Sequence, residues 1–357
     1  MDRRFPSSRK LIGRSFAAFL AIFFLAYIIW FPIGYMLAAL SSLFRHHSKL
    51  TSVLDPGVDQ DCNIKQTDIY LSPLQPTPLQ FCDTRASLLE SLSNGLRHGF
   101  DEPYFGKGTS SLCIPTDEIC MVLERFHGII FIGDDISRAI YLAFNMLLRE
   151  DLVYGALKGP DILSDQDRNN CRCDNQFLDE CSSFGISSSE DLEMIVRSGS
   201  GCSYYSCHRI PHAYIPVDTF PASPSSIAAF KDLTYQKPNP WQPSPVVFSF
   251  GHASSFDIEM STSALDEWLA LALAAERNIP VLFLSPPAIG TPESNTVVWQ
   301  FHQRMSTVAK LKHVDVLGLY NLTLQATSMN EGRNFGGRVA LAEAMMIINW
   351  LSKLETS

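Results

Sequence analysis

The chain has 357 residues, 46% of them hydrophobic and 18% charged, with a formal net charge of −9. That length accommodates one large domain or two modest ones with a sizeable core. Residues 1–14 carry Arg3, Arg4, Arg9, Lys10 and Arg14 against Asp2, a net +4 that leaves −13 on the remainder, and an acidic main body argues against a nucleic-acid partner.

From Ser15 to Phe44 there is no charged residue, and Phe, Leu, Ile and Ala dominate. The run exceeds the roughly 20 residues that span hydrocarbon and the roughly 7–15 of a signal-peptide core, so it predicts a transmembrane signal-anchor helix over 15–44. A cleaved signal is the alternative, because Ala38-Ala39-Leu40-Ser41 supplies small residues. Basic residues precede the span, which places the tail 1–14 in the cytoplasm and the rest in the lumen of the secretory pathway, in the Golgi, the endoplasmic reticulum or at the cell surface. Residues 45–79 read as a stalk that ends in Pro73-Leu74-Gln75-Pro76-Thr77-Pro78, and 80–357 as a lumenal domain.

All nine cysteines, Cys62, Cys82, Cys113, Cys120, Cys171, Cys173, Cys181, Cys202 and Cys207, follow the span. An oxidising lumen predicts disulfides among them, with pairing left open by the sequence. Zinc at Cys171, Cys173 and Cys181 is a weaker reading, since the C-x-C spacing departs from the usual pattern. Asn321-Leu322-Thr323 is an N-glycosylation sequon in a lumenal domain.

Gly128 to Ile132 reads as a buried strand that stops at Gly133-Asp134-Asp135 and passes into a helix from Ser137 to Arg149, with Ser137 where an N-cap is expected. Residues 155–245 read as an irregular, Cys-rich insertion with proline runs at 211–224 and 238–245. Order returns afterwards. Val246–Phe250, Pro280–Leu284 and Val314–Leu319 are strand-like, and Ser263–Arg277, Val298–Leu311 and Gly337–Leu354 are helical. The last helix has Ala344, Ile347, Ile348 and Leu351 on its inward face. Strands alternating with helices predict an α/β fold, a parallel sheet covered on both faces.

Three blocks should meet at the carboxyl edge of that sheet: 131–138, Phe248 to Asp257, and Asn330-Glu331-Gly332-Arg333-Asn334-Phe335-Gly336. Their order, with the phrases Asn239-Pro240-Trp241-Gln242-Pro243-Ser244-Pro245-Val246 and Ile348-Asn349-Trp350-Leu351, resembles the SGNH (GDSL-like) hydrolase fold, and within it the PC-esterase and trichome-birefringence-like group. The resemblance implies a three-layer α/β/α domain related to glycan O-acyl esterases and O-acetyltransferases, without a cofactor. It also implies a nucleophilic Ser after Gly133-Asp134, where this chain has Asp135. An Asp-x-x-His pair is implied where Glu331 and Asn334 stand. For the oxyanion donors it implies Gly251 and an Asn, whose place falls at Phe256 or, under a tighter alignment, at Ser254.

These replacements disfavour acyl transfer. Asn334 has no titratable nitrogen to serve as base, and a carboxylate at 135 repels a developing oxyanion. The leading expectation is therefore a pseudoenzyme that binds a glycan or assists a partner glycan-modifying enzyme; the alternative is an active enzyme with relocated residues. For the alternative, Ser137 is a displaced nucleophile, or Asp135 attacks with His252 or His212 as base. Convergence of Asp134, Asp135 and Glu331 on Ca2+ or Mg2+ is a further reading. Arg138 and Arg333 read first as ion-paired surface arginines, and Tyr204, Tyr205 and Trp241 as packing under the insertion or as sugar-stacking groups.

Overall fold

The computed structural model describes residues 62, 84–97, 104–105, 119–149, 151–157, 164–181, 212–217, 219–234, 241–288, 292–325 and 337–355. All belong to one unit, Pro56–Ser357. The span expected at 15–44 lies outside the described residues, and among those described no helix is long and apolar enough to cross a membrane.

Five parallel strands form the centre: β3 (Ile129–Gly133), β4 (His212–Pro216), β5 (Val246–Ser249), β6 (Val281–Ser285) and β7 (Asp315–Gly318). A separate two-stranded pair, β1 (Leu96–Arg97) and β2 (Tyr104–Phe105), is antiparallel. In the main sheet the spatial order is β4-β3-β5-β6-β7. Counted from its first strand this is 2-1-3-4-5, a doubly wound order whose topological switch point falls between β3 and β5.

The two faces of the sheet sort by strict alternation. Phe131, Val247, Leu282, Leu284 and Leu317 pack with α1 (Arg85–Ser93), α2 (Ile119–Leu123), α3 (Asp135–Arg149) and α9 (Gly337–Ser352). Ile130, Ile132, Val246, Phe248 and Phe283 pack on the other side against α5 (Pro224–Thr234), α6 (Ile258–Ala274) and α7 (Pro292–Leu311). Strands buried on both faces need helices on both faces, and the α/β expectation holds. Short helices α4 (Asp165–Asn170) and α8 (Tyr320–Leu324) and a 3-10 turn at Cys173–Phe177 are also present.

Three differences from the sequence reading have physical causes. First, β4 and α5 lie inside the stretch read as irregular insertion. β4 is an edge strand with one partner, and Pro216 at its end needs no ladder donor there. Second, α3 begins at Asp135, so its cap is Asp134 and not Ser137. Third, α9 is buried around its circumference from Val339 to Leu351, not on one face. Arg125 donates to the carbonyls of Leu351 at 2.7 Å and Leu354 at 3.4 Å, satisfying groups that a helix end leaves open.

Two disulfides join described residues, Cys62–Cys173 and Cys171–Cys181. They remove the zinc reading of Cys171, Cys173 and Cys181, because a bonded sulfur offers no thiolate. Cys82, Cys113, Cys202 and Cys207, and the side chain of Cys120, lie outside the described residues. Asn321 sits in α8 with its Nδ2 donating to Ser93 O at 2.7 Å, while the Thr323 hydroxyl is buried and accepts from Ala288 N at 2.7 Å.

Candidate functional site

The carboxyl ends of β3 and β5 meet at the switch point, and glycine makes the approach possible. Gly133 has φ +150°, and a Cβ there would overlap the Ser249 carbonyl oxygen and lie 2.6 Å from Ser137 Oγ. In β5 the residue opposite is Ser249. No larger residue fits between strand and helix.

Asp134 ties the two strand ends together. Its Oδ1 accepts from Ile136 N at 3.2 Å, capping α3. Its Oδ2 accepts from His252 N at 3.0 Å and Ala253 N at 3.3 Å, across the crevice. The side chain is buried, and burial raises its pKa to about 6; the hydrogen bonds from the Ala253, His252, Ile136 and Ser137 backbones oppose that rise. From the edge strand, Tyr214 Oη donates to Gly133 O at 3.0 Å and Asp134 O at 3.2 Å. The corner is braced from β4 and from the turn that follows β5.

Asp135, one residue on, is exposed on the first turn of α3, where a carboxylate is favoured by the helix dipole. Ser137 is fully buried and its Oγ donates to Ile132 O at 3.3 Å, so it faces the strand and not the rim. Arg138 pairs with Asp179 at 2.9 Å and donates to Phe177 O at 3.4 Å.

The middle block forms a tight set of turns. Gly251 fits under Pro286, whose Cβ would lie 2.9 Å from an added Cβ. Ser254 is buried; its N–H donates to Phe250 O at 3.0 Å and its hydroxyl accepts from Ser261 Oγ at 2.7 Å while donating to Gly251 O at 3.2 Å. Phe256, at φ +61°, donates its N–H to Gly251 O at 2.9 Å and packs its ring on Phe301. The two positions assigned to the missing Asn thus face inward. The His252 ring packs edge-on against Phe256 at 5.1 Å. Ser249 Oγ, fully buried on the α3 side of β5, has no hydrogen-bond partner.

Glu331, Arg333 and Asn334 lie outside the described residues, as do Tyr204 and Tyr205. The helix that follows them is placed: Gly337 N donates to Asp174 Oδ1 at 3.0 Å, and a Cβ on Gly337 would lie 3.1 Å from Phe177 Cε2. Since Arg138 donates to Phe177 O, the start of α9 stands one residue away from the first turn of α3. Trp241 is largely exposed.

His212 does not serve the corner. His212 pairs with Ile129 at the amino end of β3, four residues or about 13 Å from Gly133. It is buried against Tyr141 Oη at 3.0 Å, and burial, with the Arg149 charge, lowers its pKa to about 3. Both Asp134 oxygens are engaged by backbone N–H groups, and among the described residues no three His, Cys, Asp or Glu side chains are gathered to hold a metal.

A Ser–His pair absent from the sequence reading stands elsewhere on the same edge. Ser285, the last residue of β6, is hydrogen-bonded through Oγ to Nδ1 of His302 from α7. Ser306 Oγ lies 3.5 Å from the same nitrogen. Burial lowers the His302 pKa to about 4, with a smaller contribution from Lys310. The Trp299 ring lies tilted against the imidazole, centroids 5.1 Å apart, and against Tyr320 at 5.0 Å. Ser285 is fully buried, and the next two residues, Pro286 and Pro287, carry no N–H. A serine closing an apolar strand was the available signal; its partner, 17 residues away on a helix, had none.

No known family model, curated protein or solved structure matches the chain.

Proposed function

We propose that the chain is a membrane-anchored protein of the secretory lumen, related to glycan O-acyl esterases and O-acetyltransferases, whose 133–138 corner binds a glycan or assists a partner enzyme and does not transfer acyl groups. One observation carries this reading. The backbone amides of His252 and Ala253, aimed across the switch point, are already satisfied by the Asp134 carboxylate. An oxyanion forming there would compete with a fixed acceptor, and Asp135 beside it adds like charge instead of a nucleophile. Losing nucleophile and donors together costs orders of magnitude in rate and leaves binding intact. At the rim the exposed Asp135 carboxylate remains as a polar group for a ligand.

The test is acetate release by the purified full-length chain in detergent, with acetylated oligosaccharides as substrate, beside a glycan-binding array. Retention of a glycan, weakened by Asp135→Ala, without repeated turnover is the expected result. Turnover abolished by Asp135→Ala would restore the enzyme reading and end this one.

A further inference from the structure

We propose that Ser285 is an acyl acceptor: its hydroxyl, held against Nδ1 of His302 at the carboxyl end of β6, takes the acyl group of an activated ester and retains it. The inference goes beyond the proposed role of the 133–138 corner and does not depend on it.

Nucleophile and base are already within hydrogen-bonding reach, which is the arrangement that activates a serine. The imidazole is neutral, because burial holds its pKa near 4; in the tautomer that carries its proton on Nε2, which the proposal requires, Nδ1 accepts from the Ser285 hydroxyl. Gly318, opposite Ser285 in β7, makes room for the ring: a Cβ there would sit 3.2 Å from His302 Cε1. Trp299 covers one face of the ring and is itself 40% exposed. Displacement of Trp299 from the ring is the motion the proposal requires to admit an ester to a serine otherwise closed to solvent.

The step balances without a further reagent. Ser285 Oγ bonds to the acyl carbon as its proton passes to His302 Nδ1; the carbon–oxygen bond to the leaving group breaks, and that oxygen takes the proton from His302. The acyl group then stays because hydrolysis lacks help. Pro286 and Pro287 have no N–H, Ala288 N is engaged by Thr323 Oγ1 at 2.7 Å, and Gly318 N by Ser93 Oγ at 2.8 Å. None of these groups is left to stabilise the oxyanion that water would generate. An activated leaving group offsets the same deficit in the forward step.

The experiment treats the full-length chain in detergent with p-nitrophenyl acetate and locates the adduct by peptide mass mapping. One acetyl group on Ser285 is expected, formed at least about 100-fold more slowly in His302→Gln and faster in Trp299→Ala. The rate should stay level from about pH 5 upward until the ester itself hydrolyses, since His302 is already deprotonated. Asp135→Ala should leave labelling unchanged, separating this site from the corner. Matched melting temperatures show that the variants are folded. Absence of acetyl on Ser285 in both the native chain and Trp299→Ala overturns the proposal. So does labelling indifferent to His302→Gln, or a rate that falls below about pH 6.5 as with an ordinary histidine.

Discussion

Replacing Glu343 by Gln should stabilise the domain progressively as pH rises. Glu343 lies in α9 at 3% exposure, one carboxyl oxygen has no hydrogen-bond partner, and burial raises its pKa from 4.5 to about 8. In the unfolded chain the group ionises near its ordinary value, so between the two values the folded state holds a proton the unfolded state has lost. Stability therefore falls as pH rises through that window, by about 1.4 kcal/mol per pH unit, and levels off above the folded pKa. The cumulative cost is about 1 kcal/mol at pH 5, about 3 at pH 7 and about 4–5 at pH 8.5. Gln has no proton to lose, and its own buried amide adds a penalty that is constant with pH. Urea titrations of native chain and variant at those three pH values, followed by fluorescence, read the difference directly. Buried Trp350 on the same helix is a suitable reporter. The quantity to compare is the change in ΔΔG between pH 5 and pH 7, expected to favour the variant by about 2–3 kcal/mol. A ΔΔG that stays constant over the range would refute the reasoning, because it would mean that Glu343 titrates alike folded and unfolded.

Asp134→Ala removes the cap of α3 and leaves the His252 and Ala253 amides without their acceptor, so a loss of about 3 kcal/mol is expected by chemical denaturation. Gly133→Ala should cost at least as much, since the added carbon meets backbone that cannot give way; a melting temperature unchanged from native would contradict the close packing of β3 on β5. Cys62→Ser opens a loop of 111 residues and Cys171→Ser one of 10, so chain entropy predicts losses of about 5 and about 3 kcal/mol in that order. Thermal melts of the two variants, with non-reducing peptide maps to confirm the remaining bridge, would show whether the order holds.

What the sequence revealed was set by local pattern. The strands β3, β5, β6 and β7 are apolar runs that stop at Gly, Ser or Pro, and each lies where its run predicts. β4 escaped because His212 to Pro216 follows Pro211 and ends on a proline itself, and as an edge strand it needs only one hydrogen-bonded neighbour. The cap of α3 was ambiguous locally: Asp134 and Ser137 are both capping residues, and the choice was made by His252 and Ala253, which approach from 118 and 119 residues away. The burial of α9 was also tertiary. Its 3.6-residue spacing marked one inward face, whereas packing by α1, α2 and α3 closes the other sides. Ser285 and His302 meet through the register of α7 on the sheet, which no spacing along the chain encodes.

The Cys62–Cys173 bridge determines how the domain would carry a load. A pull on the chain preceding residue 62 is shared with Cys173, whose neighbourhood is tied to Val153 through the Cys173 amide, to Leu152 and Ala156 through Gln176, and to the first amide of α9 through Asp174. Anchored this way, the 173–177 turn and not a strand of the sheet is the first described part of the domain to receive the load.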